Sequence, residues 1–320
     1  MSVIGAPLHL KLKECGGFDP VENIGEFVEF FSKLRLGPDM LTSEFDAEKV
    51  DYPAFIEHVN GSMYRLGTPN SLGTGAYGCV LKYSLQSPDE GVPSDIAVKI
   101  AIKGDDVDLK ASRKLEENHV KYPWCVLAKN IVVMPCFDGD LLKFRRDLTH
   151  SNVINIARQV LAQVMFLSSN GIGYLDIKPG NTLVSTCGGP PNTEGPVTIF
   201  LGDMGSADDV DKPLTTTYAR LFDSGRKDCI FSKESVAWAL CGFIFKTMGI
   251  ELSDCFRPDP LYTRDSLPSI LKNSIHYPVF KIIIDSTILP FVRGTLSFES
   301  MRITLLETER RLDSSNKRRR

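Results

Sequence analysis

Short apolar runs separated by Gly, Pro, Asn and Ser occupy the chain from Met63 to Ile102. Strands are short and their turns favour these residues, so the pattern predicts antiparallel strands and hairpins. The apolar run from Val126 to Met134 predicts a further strand. Ile24 to Leu36 has apolar residues at helical spacing and predicts an amphipathic helix. A second helix is predicted at roughly Lys110 to Val120, before the strand that begins at Val126.

Helical periodicity dominates the second half of the chain. Val153 to Ser168 and Val236 to Met248 predict strongly apolar helices, and Tyr277 to Val292 predicts a core helix that is too short to span a bilayer. A Gly/Pro-rich loop at residues 187–196 separates two short runs that predict strands. A small strand-rich part thus precedes a larger helical part, which predicts an α+β fold.

The composition is that of a globular protein without a strong overall charge. The 320 residues are 42% hydrophobic and 24% charged, which suffices for one large domain or two lobes. A formal net charge of -3 argues against nucleic acid as a partner. Basic residues instead cluster in the tail at residues 313–320, which either is simply solvated or directs the protein to the nucleus. The 8 cysteines form no C-x-x-C pair, and no secretory pattern precedes them, so we expect an intracellular protein of the cytoplasm or nucleus without a membrane anchor.

The first motif that points to chemistry is the glycine-rich segment LGTGAYGCV, from Leu72 to Val80. Gly73, Gly75 and Gly78 fit the pattern G-x-G-x-x-G, in which glycines let backbone N–H groups approach phosphate oxygens. The residues that follow alternate as a strand, so the pattern favours a strand-turn-strand flap over a dinucleotide-binding loop that opens a helix. A plain glycine-rich hairpin is the alternative.

Lys99 lies within the apolar strand IAVKI, about one hairpin after the glycines. Such a lysine is often only structural, but in this position it supplies a positive charge to the phosphates of a nucleotide and needs a carboxylate to orient it. Glu116 and Glu117 on the predicted helix are the candidates. Adjacent helical residues point about 100° apart, so only one can face the lysine, and we favour Glu116 because Val120 continues its face.

The segment GYLDIKPGNTLV places Asp176 five residues before Asn181. In such a loop the aspartate accepts the proton of a hydroxyl nucleophile, Lys178 neutralises a transferred phosphoryl group, and the asparagine ligates magnesium. Asp203 follows the predicted strand VTIFL, where a carboxylate is well placed to hold a metal ion against phosphates. A polar turn built by Pro-Gly-Asn is the alternative for the first segment.

In their order and spacing these motifs resemble the eukaryotic-type protein kinases over residues 63–312. The resemblance implies a two-lobed kinase-like fold, with a small antiparallel-sheet N-lobe at about 63–137 and a larger helical C-lobe at about 138–312. Residues 1–62 would be an N-terminal extension of unknown role. The implied activity is transfer of the γ-phosphoryl group of Mg-ATP to protein substrates, with Lys178 and Pro179 favouring Ser/Thr hydroxyls.

The resemblance also implies which residues contact ATP and Mg²⁺. Val80, Ala97 and Leu183 would sandwich the adenine, and Met134 would precede the hinge between the lobes. The implied catalytic residues are Asp176, Lys178, Lys99 and Glu116, and the metal ligands are Asn181 and Asp203. The implied ATP-binding residues are Leu72, Gly73, Gly75, Gly78, Val80, Ala97, Lys99, Met134, Pro135, Cys136 and Leu183.

Several residues depart from the family pattern. Tyr174-Leu175 replaces the usual His-Arg before the catalytic aspartate, Met204 replaces the usual Phe after Asp203, and no Ala-Pro-Glu ends the activation segment at about 203–220. The missing Arg leads to the hypothesis that activity does not require phosphorylation of that segment. Two rival functions stay open, a pseudokinase scaffold that binds partners and a kinase of small molecules. The style of these departures resembles virus-encoded kinases, including the herpesvirus type.

The activation segment is rich in aspartate. Asp208, Asp209 and Asp211 precede its threonines, which predicts a preference for basic substrates. The sequence makes no prediction about the oligomeric state.

Overall fold

The computed structural model describes the greater part of both the strand-rich and the helical regions. The described residues are 11–12, 34–35, 55–58, 63–65, 67–75, 78–86, 94–101, 125–128, 131–145, 148–185, 196–215, 228–250, 281–292 and 296–317. Their strands are β1 (Lys11–Leu12), β2 (Leu34–Arg35), β3 (Phe55–His58), β4 (Met63–Arg65), β5 (Asn70–Gly75), β6 (Gly78–Ser84), β7 (Asp95–Ala101), β8 (Cys125–Ala128), β9 (Ile131–Pro135), β10 (Gly139–Asp140), β11 (Ile172–Gly173), β12 (Thr182–Ser185), β13 (Pro196–Leu201), β14 (Asp208–Asp209), β15 (Pro213–Thr215) and β16 (Asp228–Ile230). Their α-helices are α1 (Leu141–Phe144), α2 (His150–Ser169), α3 (Lys233–Thr247), α4 (Leu289–Val292) and α5 (Phe298–Lys317).

The chain divides into two compact units. One consists of Asp19–Phe137, and the other of Met1–Phe18 together with Asp138–Arg320. The first unit is built on strands and the second mainly on helices, so the coarse prediction of a mixed α/β protein with a small antiparallel sheet and helices is confirmed.

An antiparallel sheet forms the centre of the first unit, with its described strands in the order β5-β6-β7-β9-β8. The strands and hairpins predicted between residues 63 and 102 are present, and the glycine-rich segment lies on the β5–β6 hairpin. The prediction of one strand from Val126 to Met134 is wrong, because β8 and β9 are two antiparallel strands. Lys129 and Asn130 are polar and interrupt the apolar run in the sequence, and the prediction of a single strand did not take them into account.

Two predicted helices of the first unit have different outcomes. The helix expected at Ile24 to Leu36 is wrong at its C-terminal end, where Leu34–Arg35 pairs with β3 as a strand, and the remainder lies outside the described residues. Pairing with a strand distant in sequence overrides the local helical pattern there. The helix expected at Lys110 to Val120, with Glu116 and Glu117, also lies outside the described residues.

Helix α2 is the central element of the second unit and packs against α3, α5 and β13. It begins at Thr149, whose hydroxyl accepts from the Asn152 N–H at 3.1 Å while the Asn152 side chain accepts from the Thr149 N–H at 3.0 Å. This reciprocal cap satisfies N–H groups that the first turn leaves unpaired. The cap starts the helix one turn before Val153, and the apolar helix predicted at Val153 to Ser168 is confirmed.

The other predicted helices of the second unit are present as well. Helix α3 starts after a cap at Ser232 and buries almost all of its length, as the continuous apolar pattern of this segment predicts. Residues 281–292 are helical, with a π-helical turn at Ile284–Ile288 before α4, and they bury Ile283, Ile288 and Phe291. In the described part of the chain, no helix has the length and apolar character needed to cross a bilayer.

Small sheets complete the second unit and carry the loops described below. Strands β10, β12 and β13 form an antiparallel sheet to which β1 adds in parallel, and β11 pairs with β14. Strands β15 and β16 form a separate antiparallel pair. Both strands predicted around the Gly/Pro-rich loop at 187–196 are therefore present, as β12 and β13.

Candidate active site

The loop from β11 to β12 carries three of the predicted catalytic and metal-binding residues. After β11 the chain is extended through Lys178, turns once through the 3-10 helix Pro179–Asn181, and enters β12. Gly173 at its start has no room for a side chain, because a Cβ there would lie 2.6 Å from Leu214 Cδ1 and 3.3 Å from Val210 Cα. This close packing fixes the start of the loop against the segment that follows β14.

Asp176, Lys178 and Asn181 meet at one carboxylate oxygen. Asp176 Oδ2 accepts from Lys178 Nζ at 2.7 Å and from Asn181 Nδ2 at 2.8 Å. The side chain of Asp176 is 9% exposed and that of Lys178 is 34% exposed. Two donors on one oxygen fix the orientation of a carboxylate that still reaches the surface. The structure thus brings together three residues that the sequence grouped only by spacing.

The hydrogen bonds of Asn181 decide which way its amide faces. Nδ2 also donates to Asp176 O at 3.1 Å and lies 3.3 Å from the Tyr174 hydroxyl, so the amide nitrogen faces the loop interior. The amide oxygen is then the atom left to bind a cation, and it is the hard oxygen donor that Mg²⁺ takes in proteins. Thr182, fully buried next to it, donates to Lys178 O at 3.1 Å and closes the turn.

Tyr174 connects this loop to the residue before Asp203. Its buried hydroxyl donates to Gly202 O at 2.8 Å, lies 3.2 Å from Asp176 O and accepts from Asn181 Nδ2. A second link joins the same segments, because Gly202 N donates to Asn181 O at 2.6 Å. Gly202 and Asn181 are therefore linked twice, directly through their backbones and indirectly through the Tyr174 hydroxyl.

Asp203 follows β13 in a left-handed backbone conformation, with φ 54° and ψ 61°. Aspartate tolerates this region better than most residues, and such backbones concentrate at functional sites. The preceding Gly202 allows a close approach, since a Cβ there would lie 3.1 Å from Leu183 Cδ1. The half-buried Asp203 is thus held one residue after Gly202, which bonds Asn181 and packs closely against Leu183.

Sequence reasoning missed the side chains that hold β13 in place. Gln159 and Gln163 on α2 are fully buried and bond the backbone of Ile199 and Leu201. The signal was present as two glutamines, four residues apart, in an otherwise apolar helix. Periodicity describes which face of a helix is apolar, and it does not identify the partner of a polar residue on that face.

Several predicted nucleotide-binding residues share one face of the sheet in the first unit. Gly73 lies opposite Val80, Val80 opposite Lys99, and Ala97 opposite Met134. Directly opposed residues of antiparallel strands point to the same side, as do residues two apart on one strand. These five residues therefore share a face. The opposite face carries core residues, namely Leu81, Tyr83, Ile96, Val98, Ile100 and Val133.

The remaining predicted nucleotide-binding residues of this unit lie at the edges of that face. Gly75 and Gly78 oppose each other at the end of the β5–β6 hairpin, and Leu72, which is 51% exposed, lies at a register shift in β5. Pro135 opposes Ile96 and so lies on the core side, and the half-buried Cys136 follows the strand. Pro135 and Cys136 can therefore contribute to a nucleotide site chiefly through their backbone.

The predicted residues are distributed over both units. Lys99 and the glycine-rich hairpin belong to the first unit, whereas Asp176, Lys178, Asn181, Leu183 and Asp203 belong to the second. Glu116 lies outside the described residues, so the partner predicted for Lys99 stays a prediction.

A lysine partly neutralises the aspartates that follow Asp203. Lys212 Nζ lies 2.6 Å from Asp209 Oδ2 and 3.2 Å from Asp208 Oδ1. Its bonds to Asp209 and then Asp208 raise the pKa of Lys212 above its usual value. Less negative charge is therefore available to a substrate than the sequence suggested, which weakens the argument for basic substrates.

Comparison with known proteins adds no relative. No protein-family model matches the chain, and no curated protein matches it either.

Within the described residues, no group of three or more His, Cys, Asp and Glu side chains could hold a metal ion. Asn181 and Asp203 offer an amide oxygen and a carboxylate, and the bond from Gly202 N to Asn181 O links the segments that carry them. Both are donor types that suit Mg²⁺, which takes few protein ligands when phosphates supply the others.

Proposed function

We propose that this protein is a serine/threonine protein kinase that transfers the γ-phosphoryl group of ATP to protein hydroxyls. The observation that carries the proposal is the arrangement in which Lys178 and Asn181 both bind Asp176 Oδ2. An aspartate, a lysine and an asparagine in this order on one loop supply the base, the countercharge and a metal ligand of phosphoryl transfer. In this proposal the first unit is the N-lobe and the second the C-lobe of a kinase-like fold.

Asp176 acts on the incoming hydroxyl. Its carboxylate, fixed by two donors, orients the Ser or Thr hydroxyl and takes its proton as the hydroxyl oxygen bonds to the γ-phosphorus. The bond from that phosphorus to the oxygen of the β-phosphate breaks in the same step, and ADP leaves with that oxygen. Lys178 stays beside it and offsets negative charge on the transferred group. Most of the acceleration then comes from positioning and charge neutralisation by groups that are already in place before the substrate binds.

Asn181 and Asp203 hold the metal in this proposal, Asn181 through its amide oxygen and Asp203 through its carboxylate. Bound Mg²⁺ would supply positive charge at the phosphate oxygens. Lys99 contributes a further positive charge to the phosphates, and Val80, Ala97 and Met134 offer the apolar surface for adenine on the same face of the sheet.

The test compares transfer of labelled γ-phosphate by the wild type, Asp176→Asn and Asp313→Asn. Asp313 is an exposed aspartate on α5, so its variant makes the same chemical change away from the site. We expect Asp176→Asn to lower transfer to Ser/Thr by about 10²–10⁴-fold, because the general base is lost, while ATP affinity stays near the wild-type value. Lys99→Met should also lose activity, through misplaced phosphates.

Three results would contradict the proposal in different ways. Near-normal transfer by Asp176→Asn would remove Asp176 from its role as base. ATP binding without transfer to any protein, by the wild type itself, would instead favour a scaffold that binds nucleotide. Transfer to metabolites and not to proteins would favour a kinase of small molecules.

A further inference from the structure

Two buried glutamines of α2 bond the edge of the strand that leads to Asp203. Gln163 Nε2 donates to Ile199 O at 2.7 Å, and Gln163 Oε1 accepts from Leu201 N at 2.9 Å. Gln159 Oε1 accepts from Ile199 N at 3.2 Å. Both side chains are fully buried, so these bonds form without competition from water.

The glutamines occupy the place of a neighbouring strand. Along one edge β13 pairs with β12 up to Leu201, whereas on its other edge the described residues of β1 pair with Pro196 and Val197. Beyond that point the edge groups of Ile199 and Leu201 would be buried without partners if α2 were entirely apolar, and each such group costs about 1–3 kcal/mol. The amide side chains supply the missing donors and acceptors.

A further chain of bonds fixes the amide of Gln159. Gln159 Nε2 donates to Asn155 Oδ1 at 3.0 Å, and Asn155 Nδ2 donates to Glu309 Oε1 on α5 at 2.7 Å. Because its nitrogen faces Asn155, the oxygen of Gln159 faces β13. Glu309 also forms a salt bridge with Arg158 of α2 at 3.2 Å. The hydrogen bonds from Gln159 through Asn155 therefore end at a charged pair between α2 and α5.

We propose that Gln163, supported by Gln159, is a positioning residue that sets the metal affinity of Asn181 and Asp203. This inference rests on the proposed function. Leu201, held by Gln163, lies two residues before Asp203, and Gly202 between them binds Asn181 and Tyr174. Loss of the bond at Leu201 lets the end of β13 shift, which moves Asp203 relative to Asn181 and misplaces a metal ligand.

The experiment measures Mn²⁺ binding by electron paramagnetic resonance on the full chain with a non-hydrolysable ATP analogue. Gln163→Met keeps the side-chain volume and removes both bonds to β13. We expect Mn²⁺ to bind roughly tenfold or more weakly to this variant, in the range seen when residues that orient metal ligands are changed. Amide hydrogen exchange at residues 196–203 should accelerate, and transfer should need more Mg²⁺ while KM for the protein substrate stays constant.

Thr308→Val is the matched control. Thr308 is fully buried and bonds Thr304 O and the Thr287 hydroxyl, between α5 and the π-helical turn, so the variant loses buried polar contacts away from β13. We expect it to lower thermal stability without weakening Mn²⁺ binding. Gln159→Met loses one bond to the strand, so it should weaken Mn²⁺ binding less than Gln163→Met does. If Gln163→Met does not fold, the Mn²⁺ affinity of Gln159→Met tests the proposal instead.

The outcomes separate this inference from the proposed function. Wild-type Mn²⁺ affinity in Gln163→Met and Gln159→Met, whether or not exchange at 196–203 accelerates, overturns the positioning role alone. Equal weakening by Thr308→Val overturns it as well, since the effect would then follow from general loss of stability. A wild type that binds neither Mn²⁺ nor nucleotide and transfers no phosphate overturns the proposed function, and the inference with it.

Discussion

One hydroxyl, that of Tyr174, joins the segments that carry the predicted catalytic and metal-binding residues. It donates to Gly202 O and accepts from Asn181 Nδ2, so it fixes the residue before Asp203 against the loop that holds Asp176. The resemblance to kinases identified Tyr174 only as a departure from the usual histidine. The structure gives it a local task that a tyrosine can perform because its hydroxyl both donates and accepts.

Tyr174→Phe tests that task. We expect the rate of transfer to fall and the free energy of unfolding to drop by about 1–3 kcal/mol, because Gly202 O and the Asn181 amide lose a buried partner. The measurements are kcat and thermal unfolding. Tyr83→Phe, which removes another buried hydroxyl from the sheet of the first unit, is the control for stability. A wild-type kcat in Tyr174→Phe would show that the hydroxyl has no part in positioning.

At the scale of elements, the first part of the segment predicted to be the activation segment, from Asp203 to Thr215, is held by contacts that need no phosphate. Strand β14 pairs with β11, Lys212 pairs with Asp208 and Asp209, and Leu214 packs into the space left by Gly173. Leu175 occupies the position at which the resemblance to kinases leads one to expect an arginine that binds a phosphorylated residue, and its side chain is fully buried. The element is therefore anchored by backbone pairing and packing.

Treatment with a phosphatase should leave the activity unchanged for that reason. The measurement is transfer by the treated and untreated protein, with loss of phosphate verified by mass spectrometry. Leu175→Ala should lower the free energy of unfolding by about 2–5 kcal/mol, because a buried side chain is lost. Activity should fall through the same loss of packing, with or without phosphatase treatment. A strong fall in activity on dephosphorylation of the wild type would mean that a phosphorylated residue takes part in holding the segment.

At the scale of the whole molecule, the segment before residue 63 is shared between the two units. The sequence assigned residues 1–62 to one extension, but Lys11–Leu12 pairs in parallel with Pro196–Val197 of the second unit. In the first unit, Leu34–Arg35 and Phe55–His58 belong to a sheet with β4. Residues before 63 thus contribute strands to both units, and their removal should affect the two units separately.

Deletion of residues 1–14 should destabilise the second unit through the exposed edge of β13. We expect a loss of about 1–2 kcal/mol, the scale of a short ladder of backbone hydrogen bonds. Hydrogen exchange should accelerate at residues 196–198 and stay unchanged in the β5–β6 hairpin, which serves as the internal control. Equal acceleration in both places would indicate a general loss of stability, and no acceleration would mean that the β1–β13 pairing is unimportant.

The sequence by itself determined the elements whose signals are local. The apolar period and the cap at Thr149 define α2, and Gly75 and Gly78 define the end of a hairpin. It also determined the spacing that places Asp176, Lys178 and Asn181 on one loop, because the turn at Pro179–Asn181 brings together residues that are close in the chain. The local signal failed at Leu34–Arg35, where pairing with a distant strand decided the conformation.

The tertiary structure alone decided which polar groups meet across long separations. Tyr174 and Gly202 are 28 residues apart, Gln163 and Ile199 are 36 apart, and Asn155 and Glu309 are 154 apart. No sequence pattern names these partners, since a buried polar side chain bonds whichever group the packing of helices and strands presents to it. The residues that do the proposed chemistry are therefore visible in the sequence, and the residues that hold them in place become visible only in the fold.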